Sequence, residues 1–258
     1  MSRELPAARA TIVELLLRLA DDRLVLGHRL SEWCGRAPLP EEDIAVANIA
    51  LDCLGHASML LEEAGRVEGQ GRDADRLAFW REPYEFRNCL LVEQPNGDFA
   101  HTMVRQFLVD VHADLLYGGL EASSFPPLAA IAAKAHKEIL YHGRHSGAWV
   151  LRLGDGTPES RARTQAAVDA LWAYTDELFA VDEAAEAAAA AGVAPVPSRL
   201  RQEWRMRVEA HLREATLRVP EARPRVPFRG RAGRHTESLG HLLTVMQSVP
   251  RAHPGAAW

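Results

Sequence analysis

The stretch 132–149, AAKAHKEILYHGRHSGAW, constrains this chain more than any other. It reads as one helix. At about 100° per residue, Lys134, Glu138, His142, His145 and Trp149 fall within about 80° of one another. One stripe thus carries a cation, a carboxylate, two imidazoles and an indole. Burying such a stripe is unfavourable unless its members pair with one another or hold a metal. The fold has to supply one of those two arrangements.

The rest of the chain offers helices for that purpose. Residues 7–35 carry Leu15, Leu16, Leu19, Val25 and Leu26 at helical spacing, with Gly35 and Pro38 as a stop. Pro40 and the acidic run Glu41-Glu42-Asp43 open a helix over 40–65, as the macrodipole favours. Residues 66–95 mix charges, glycines and aromatics and read as short helical turns and loop. Pro95-Asn96-Gly97-Asp98 is a turn ending in an N-cap candidate, so a third long helix is predicted over 98–122. The organising stretch belongs to a fourth, 127–153. Further helices are predicted over 159–179, 198–219 and 236–247, with a short Ala-rich one at 183–191. No period-two strand pattern and no internal repeat appears. The expectation is one all-α domain over 1–258, a helical bundle with four long core helices and additional C-terminal helices.

The totals exclude several function classes. A net charge of −5 gives no general attraction to nucleic acid or anionic membrane. Five arginines at 223, 225, 229, 231 and 234 could hold phosphate or RNA, but such a loop more often is solvated or docks on an acidic partner. Cys34, Cys53 and Cys89 fit no C-x-x-C spacing and read as reduced thiols of a cytoplasmic protein. MSRELPAARA lacks the apolar core of a signal peptide. No unbroken run of 18 apolar residues occurs, so no membrane span is expected. No P-loop, dinucleotide glycine pattern, G-x-S-x-G or zinc spacing is present.

The sharp reading of the polar stripes is a dinuclear metal site. Carboxylate bundles of that kind take a Glu from each of two helices and Glu-x-x-His from the other two. Here His28/Glu32, Asp52/His56 and Glu138/His142 are carboxylate–imidazole pairs, but each is spaced i, i+4. Asp98 and His101 have the right spacing, yet Asp98 is better explained as an N-cap. Lys134, Lys137 and Arg105 lie near the same stripes and would repel a dication. The residues therefore favour a self-satisfied polar network over a metal. His112 and His136 are expected on solvated or interfacial faces, and Trp33, Trp149, Trp172 and Trp204 in the core.

Several stretches resemble a known family. LGHRLSEWCG, EEDIAVANIALDCLG, NCLLVEQPNGDFAHTMVRQFL, AAKAHKEILYHGRHSGAWVLRLGDGT and the tail HTESLGHLL with HPGAAW are similar to the C components of bacterial phenylacetyl-CoA epoxidase complexes. The resemblance covers nearly the whole chain and is weakest at 181–200 and 220–230. It implies a ferritin-like fold and a non-catalytic structural role. Such a chain would hold a paralogous di-iron catalytic component, A, in active form. A small component, B, and a reductase component, E, with FAD and iron–sulfur groups would complete the complex. The resemblance implies no cofactor in this chain. His28, Glu32, Asp52, His56, Arg105, Lys134, Glu138 and His142 would then line a degenerate di-iron pocket. The alternative is a stand-alone ferritin-like di-iron oxidase. Neither nucleic acid nor membrane is an expected partner.

Overall fold

A computed structural model describes residues 7–221, 226 and 228–256. Eleven α-helices occur among them and no strand; Arg229 and Arg234 form one isolated antiparallel bridge. The chain divides into two compact units, Met1–Pro95 with Phe228–Trp258, and Asn96–Pro227. The fold class is all-α and matches the ferritin-like bundle type, with its four longest helices in two hairpins.

In the first unit, α1 (Ala7–Ser31) pairs with α2 (Pro40–Glu68). The predicted extension of α1 to 35 is replaced by a turn around Trp33–Arg36, with Gly35 in the left-handed region at φ 75°. α2 starts on Pro40, as read from the sequence, and runs three residues past 65. It stops where Gly69 turns left-handed and returns its N–H to the Gly65 carbonyl. By length and composition α2 is the one described helix able to cross a membrane. Its isolated polar residues hid that in a search for unbroken apolar runs. It packs along α1, with Val46, Ile49, Cys53, Leu60 and Leu61 buried, while Ile44 and Leu51 stay exposed.

Short helices α3 (Ala74–Phe79) and α4 (Leu90–Glu93) fill the stretch read as turns and loop, with a 3-10 turn at Pro83–Glu85 between them. The chain end returns to this unit as α10 (Glu237–Met246) and α11 (Ser248–Ala252). Gly230 permits that return: a Cβ there would stand 2.0 Å from the Asn88 carbonyl oxygen.

In the second unit α5 (Phe99–Leu120) pairs with α6 (Pro126–Gly154). Asp98 caps α5 by accepting the His101 N–H at 2.9 Å, the role read for it from sequence. α6 contains the whole organising stretch. Helix α7 (Pro158–Leu171) ends sooner than the predicted 179. Its continuation, Trp172–Phe179, is wound as 3-10 turns that bury Trp172, Leu178 and Phe179. α8 (Glu183–Ala190) is the Ala-rich helix. α9 (Pro197–Glu214) stops short of 219 because Thr216 turns to φ 58° and its hydroxyl donates to the Gly154 carbonyl. α9 is anchored by Trp204, 1% exposed, whose indole N–H donates to the Leu108 carbonyl at 3.0 Å. Trp172 and Phe179 pack beside it, so Trp172 and Trp204 are core, as expected. Trp33 and Trp149 are only half-buried.

Candidate functional site

The eight candidate residues fall four in each unit. In the first, His28 on α1 is half-buried, and burial pushes its imidazole toward the neutral form. Glu32 lies one residue beyond α1, is exposed, and accepts from Arg29 Nη1 at 2.8 Å. That contact gives the carboxylate a cation partner. On α2, Asp52 is half-buried and His56 is 1% exposed.

In the second unit, Arg105 on α5 is fully buried, and its Nη2 donates to Asn96 Oδ1 at 2.6 Å. Beside it, burial lowers the His101 pKa; the Arg105 charge acts in the same direction and Asp98 opposes both. On α6, His142 is fully buried, Glu138 half-buried, and Lys134 and Lys137 exposed. The stripe is therefore graded: its cationic end is the wet end and His142 is its dry centre. His145 and Trp149 are half-buried, and Trp149 stands edge-on to Phe99 with ring centroids 5.0 Å apart. Within each unit, among the described residues, no three His, Cys, Asp or Glu side chains come together as a metal-holding group.

The buried carboxylates that organise each unit were not among the candidates. In the α5–α6 hairpin it is Asp110, 1% exposed. It accepts from Gln106 Nε2 at 2.7 Å on its own helix and from Ser146 Oγ at 2.8 Å on α6. The available signal was a lone acid inside the apolar run FLVDV, with Gly143, Ser146 and Gly147 supplying small residues on α6. In the first unit they are Asp21 and Glu93, with the half-buried Asp22 next to Asp21. Asp21 pairs with Arg81, and Asp22 with Arg231 at 2.6 Å. The signal was the doublet Asp21-Asp22 inside LLLRLADDRLVLG, where an amphipathic helix has no exposed face for both.

Glu93 is fully buried and is the most connected of them. It accepts from Asn88 Nδ2 at 2.8 Å, the Thr236 N–H at 2.7 Å and the Thr236 hydroxyl at 2.9 Å. His235 Nδ1 lies 2.7 Å from the same carboxylate. Arg29 donates to the Glu93 carbonyl and to the Ser238 carbonyl, at 2.9 and 3.0 Å. α1, α4 and the start of α10 thus meet at one point.

Two expectations about lone residues become specific. Of the solvated or interfacial face expected for His112, the structure shows the interfacial one: it is 6% exposed and stands edge-on to Phe179, ring centroids 5.4 Å apart. Of the arginine loop, Arg223 and Arg225 lie outside the described residues. Arg231 turns inward and also donates to the Arg87 carbonyl at 2.7 Å. An open surface cavity of about 630 Å3 in the first unit is lined by residues including Arg76, Phe79, Trp80 and His253, and by none of the eight candidates. The buried carboxylates Asp21, Glu93 and Asp110 thus hold together segments distant in the chain within their own units.

The comparisons with known proteins agree with the resemblance read from the residues. A relative from Escherichia coli strain K12, named as the C subunit of 1,2-phenylacetyl-CoA epoxidase, is 48% identical over 244 residues, which is 94% of this chain and 97% of that one. The family model described as phenylacetic acid catabolic protein matches residues 2–258. With the fold, the paired buried charges and a match along nearly its whole length, this chain belongs to the phenylacetic acid catabolic protein family.

Proposed function

We propose that this chain is the non-catalytic structural component of a multicomponent phenylacetyl-CoA 1,2-epoxidase, the ring monooxygenase of aerobic phenylacetate catabolism. The near end-to-end, 48% identical match to a protein named as the C subunit of that enzyme carries the reading. In this reading the chain holds the di-iron catalytic component, A, in active form. It does so beside the small component, B, and a reductase component, E, carrying FAD and an iron–sulfur group. It carries no cofactor itself, works in the cytoplasm, and binds neither nucleic acid nor membrane; α2 is then a core helix.

The site geometry supports the structural role. Glu32 has a cation partner in Arg29, and in the second unit a fully buried guanidinium, Arg105, lies on the same helix as Asp110. A dication bound near that guanidinium would meet a fixed positive charge, which weakens binding. The test is reconstitution. Mixed at micromolar concentration with the di-iron component, the chain is expected to elute with it as one gel-filtration peak. Obligate interfaces bury more than about 2,000 Å2, so the complex should survive dilution. Two separate peaks, with no effect of this chain on the activity of the di-iron component, would sink the proposal.

A further inference from the structure

His136, expected on a solvated or interfacial face, lies at the interface of α6 with α5. Its Nε2 lies 2.7 Å from Asp114 Oδ1 and its Nδ1 lies 2.6 Å from Glu121 Oε1. Asp114 and Glu121 are two turns apart, on α5 and just past its end. Gly118 lies between them, and a Cβ on it would stand 3.1 Å from His136 Cε1. The missing side chain is what lets the ring approach α5 closely and reach a carboxylate on either side.

An ionised carboxylate only accepts hydrogen bonds, and a neutral imidazole has one donor and one acceptor nitrogen. Two carboxylates on opposite ring nitrogens therefore need a proton on each nitrogen, or a proton on one carboxyl. Imidazole is the stronger base by about two pKa units, so the proton belongs on the ring. Both distances suit charge-assisted bonds. We propose that His136 is held as an imidazolium and acts as a pH-sensitive fastener between α5 and α6. This inference does not depend on the function proposed above.

The surrounding charges are few. Asp114 on α5 and Glu121 just past its end are two of them. On α9, Arg207 Nη1 donates to the second oxygen of Asp114 at 2.7 Å, and Glu203 holds Arg207 in turn at 2.6 Å. On α6 itself the flanking positions one turn away, Ala132, Ala133, Ile139 and Leu140, are uncharged. One cation from α9 and one from α6 thus share Asp114, and Glu121 is left to His136. Burial pulls the His136 pKa down, but the hydrogen bonds and charges of Asp114 and Glu121 outweigh it and the net shift is upward.

A histidine whose pKa is raised in the folded state stabilises it fully below the unfolded value, 6.5, and loses that contribution as pH rises through the folded value. Alkaline pH then breaks one of the two bonds and loosens the end of α5 and the connection at 121–125.

The experiment is a side-chain 15N titration of the full chain. The expected result is that the His136 signals, assigned through their loss in His136→Gln, show both ring nitrogens in the imidazolium range at pH 6.5, with a midpoint above 6.5. In Asp114→Asn/Glu121→Gln the midpoint should fall to 6.5 or below. The melting-temperature advantage of wild type over His136→Gln should shrink as pH rises through the midpoint. A His136 that is a neutral tautomer at pH 6.5, a midpoint unmoved by the double substitution, or an advantage constant with pH would each overturn the inference.

Discussion

Arg81 grips Asp21 with both arms of its guanidinium, although 60 positions separate them in the chain. Asp21 is fully buried and Arg81 is 3% exposed. The pair is completed on both sides: Asp21 also takes the Arg87 N–H at 2.7 Å, and Arg81 donates to the Leu77 and Glu85 carbonyls and lies 4.2 Å over the Phe86 ring. This contact ties α1 to the segment between α3 and α4, where helical propensity alone supplies little order.

Removing one partner leaves the other charged, buried and unmatched. Asp21→Ala is expected to lower stability by about 3–5 kcal/mol in urea unfolding. Replacing both residues with leucine should recover most of that loss, because a buried pair and a packed apolar pair differ little. A single-mutant loss below about 1 kcal/mol, the range of an exposed pair, would contradict the account.

Glu93 predicts a more local failure. Its carboxylate accepts from Asn88 and Thr236 and meets His235. Glu93→Ala should therefore release the start of α10 from α4 before the α1–α2 hairpin opens. Native-state hydrogen exchange is expected to show protection lost over 230–246 and kept over 46–61. A stability loss of about 3–5 kcal/mol belongs to this substitution also. Uniform loss of protection across the first unit would show instead that Glu93 serves the whole unit.

Acid should destabilise the protein through His28. Burial lowers its pKa in the folded state, so between that value and the ordinary 6.5 the unfolded chain binds more protons. Stability then rises with pH in this window and is lost as pH falls below 6.5; His101, also lowered, adds to the slope. The melting temperature of His28→Gln should depend less on pH between about 5 and 6.5. An equal slope in wild type and variant would place the acid sensitivity elsewhere.

The long helices were legible because period and punctuation agreed: Pro40, Asp98 and Pro126 mark the starts of α2, α5 and α6 to within a residue or two. The ends were less legible. Helix α9 stops through a hydroxyl reaching across to Gly154, a tertiary contact that no window of sequence contains. The same reason hid the charged network. Asp21 finds Arg81, Asp22 finds Arg231, and Glu93 finds His235 at separations of 60 to 209 positions, so the doublet signalled burial without naming a partner. The i, i+4 pairs were visible because they are local, and locality drew them into the candidate site. His28 and Glu32 show its limit, since Glu32 bonds Arg29.

Iron should bind this chain poorly. A working di-iron site needs carboxylate bridges, imidazole ligands and an open position for O2. Of the candidates, His28, Glu32, Asp52, His56, Glu138 and His142 contain only three carboxylates, and Glu32 is exposed beside a cation. Arg105, fully buried on α5, brings a charge that cannot be discharged near neutral pH. Binding is then weak rather than forbidden, since imidazoles at i, i+4 do hold metals on other helices. After iron loading and desalting, metal analysis of the isolated chain is expected to find well below one iron per chain. Reductase, NADPH and phenylacetyl-CoA should give no O2 consumption until the di-iron component is added. Glu138→Ala in this chain should leave the activity of the reconstituted complex within a few-fold of wild type. Two tightly held irons per chain, lost together in Glu138→Ala, would overturn the structural role and make this chain the oxidase.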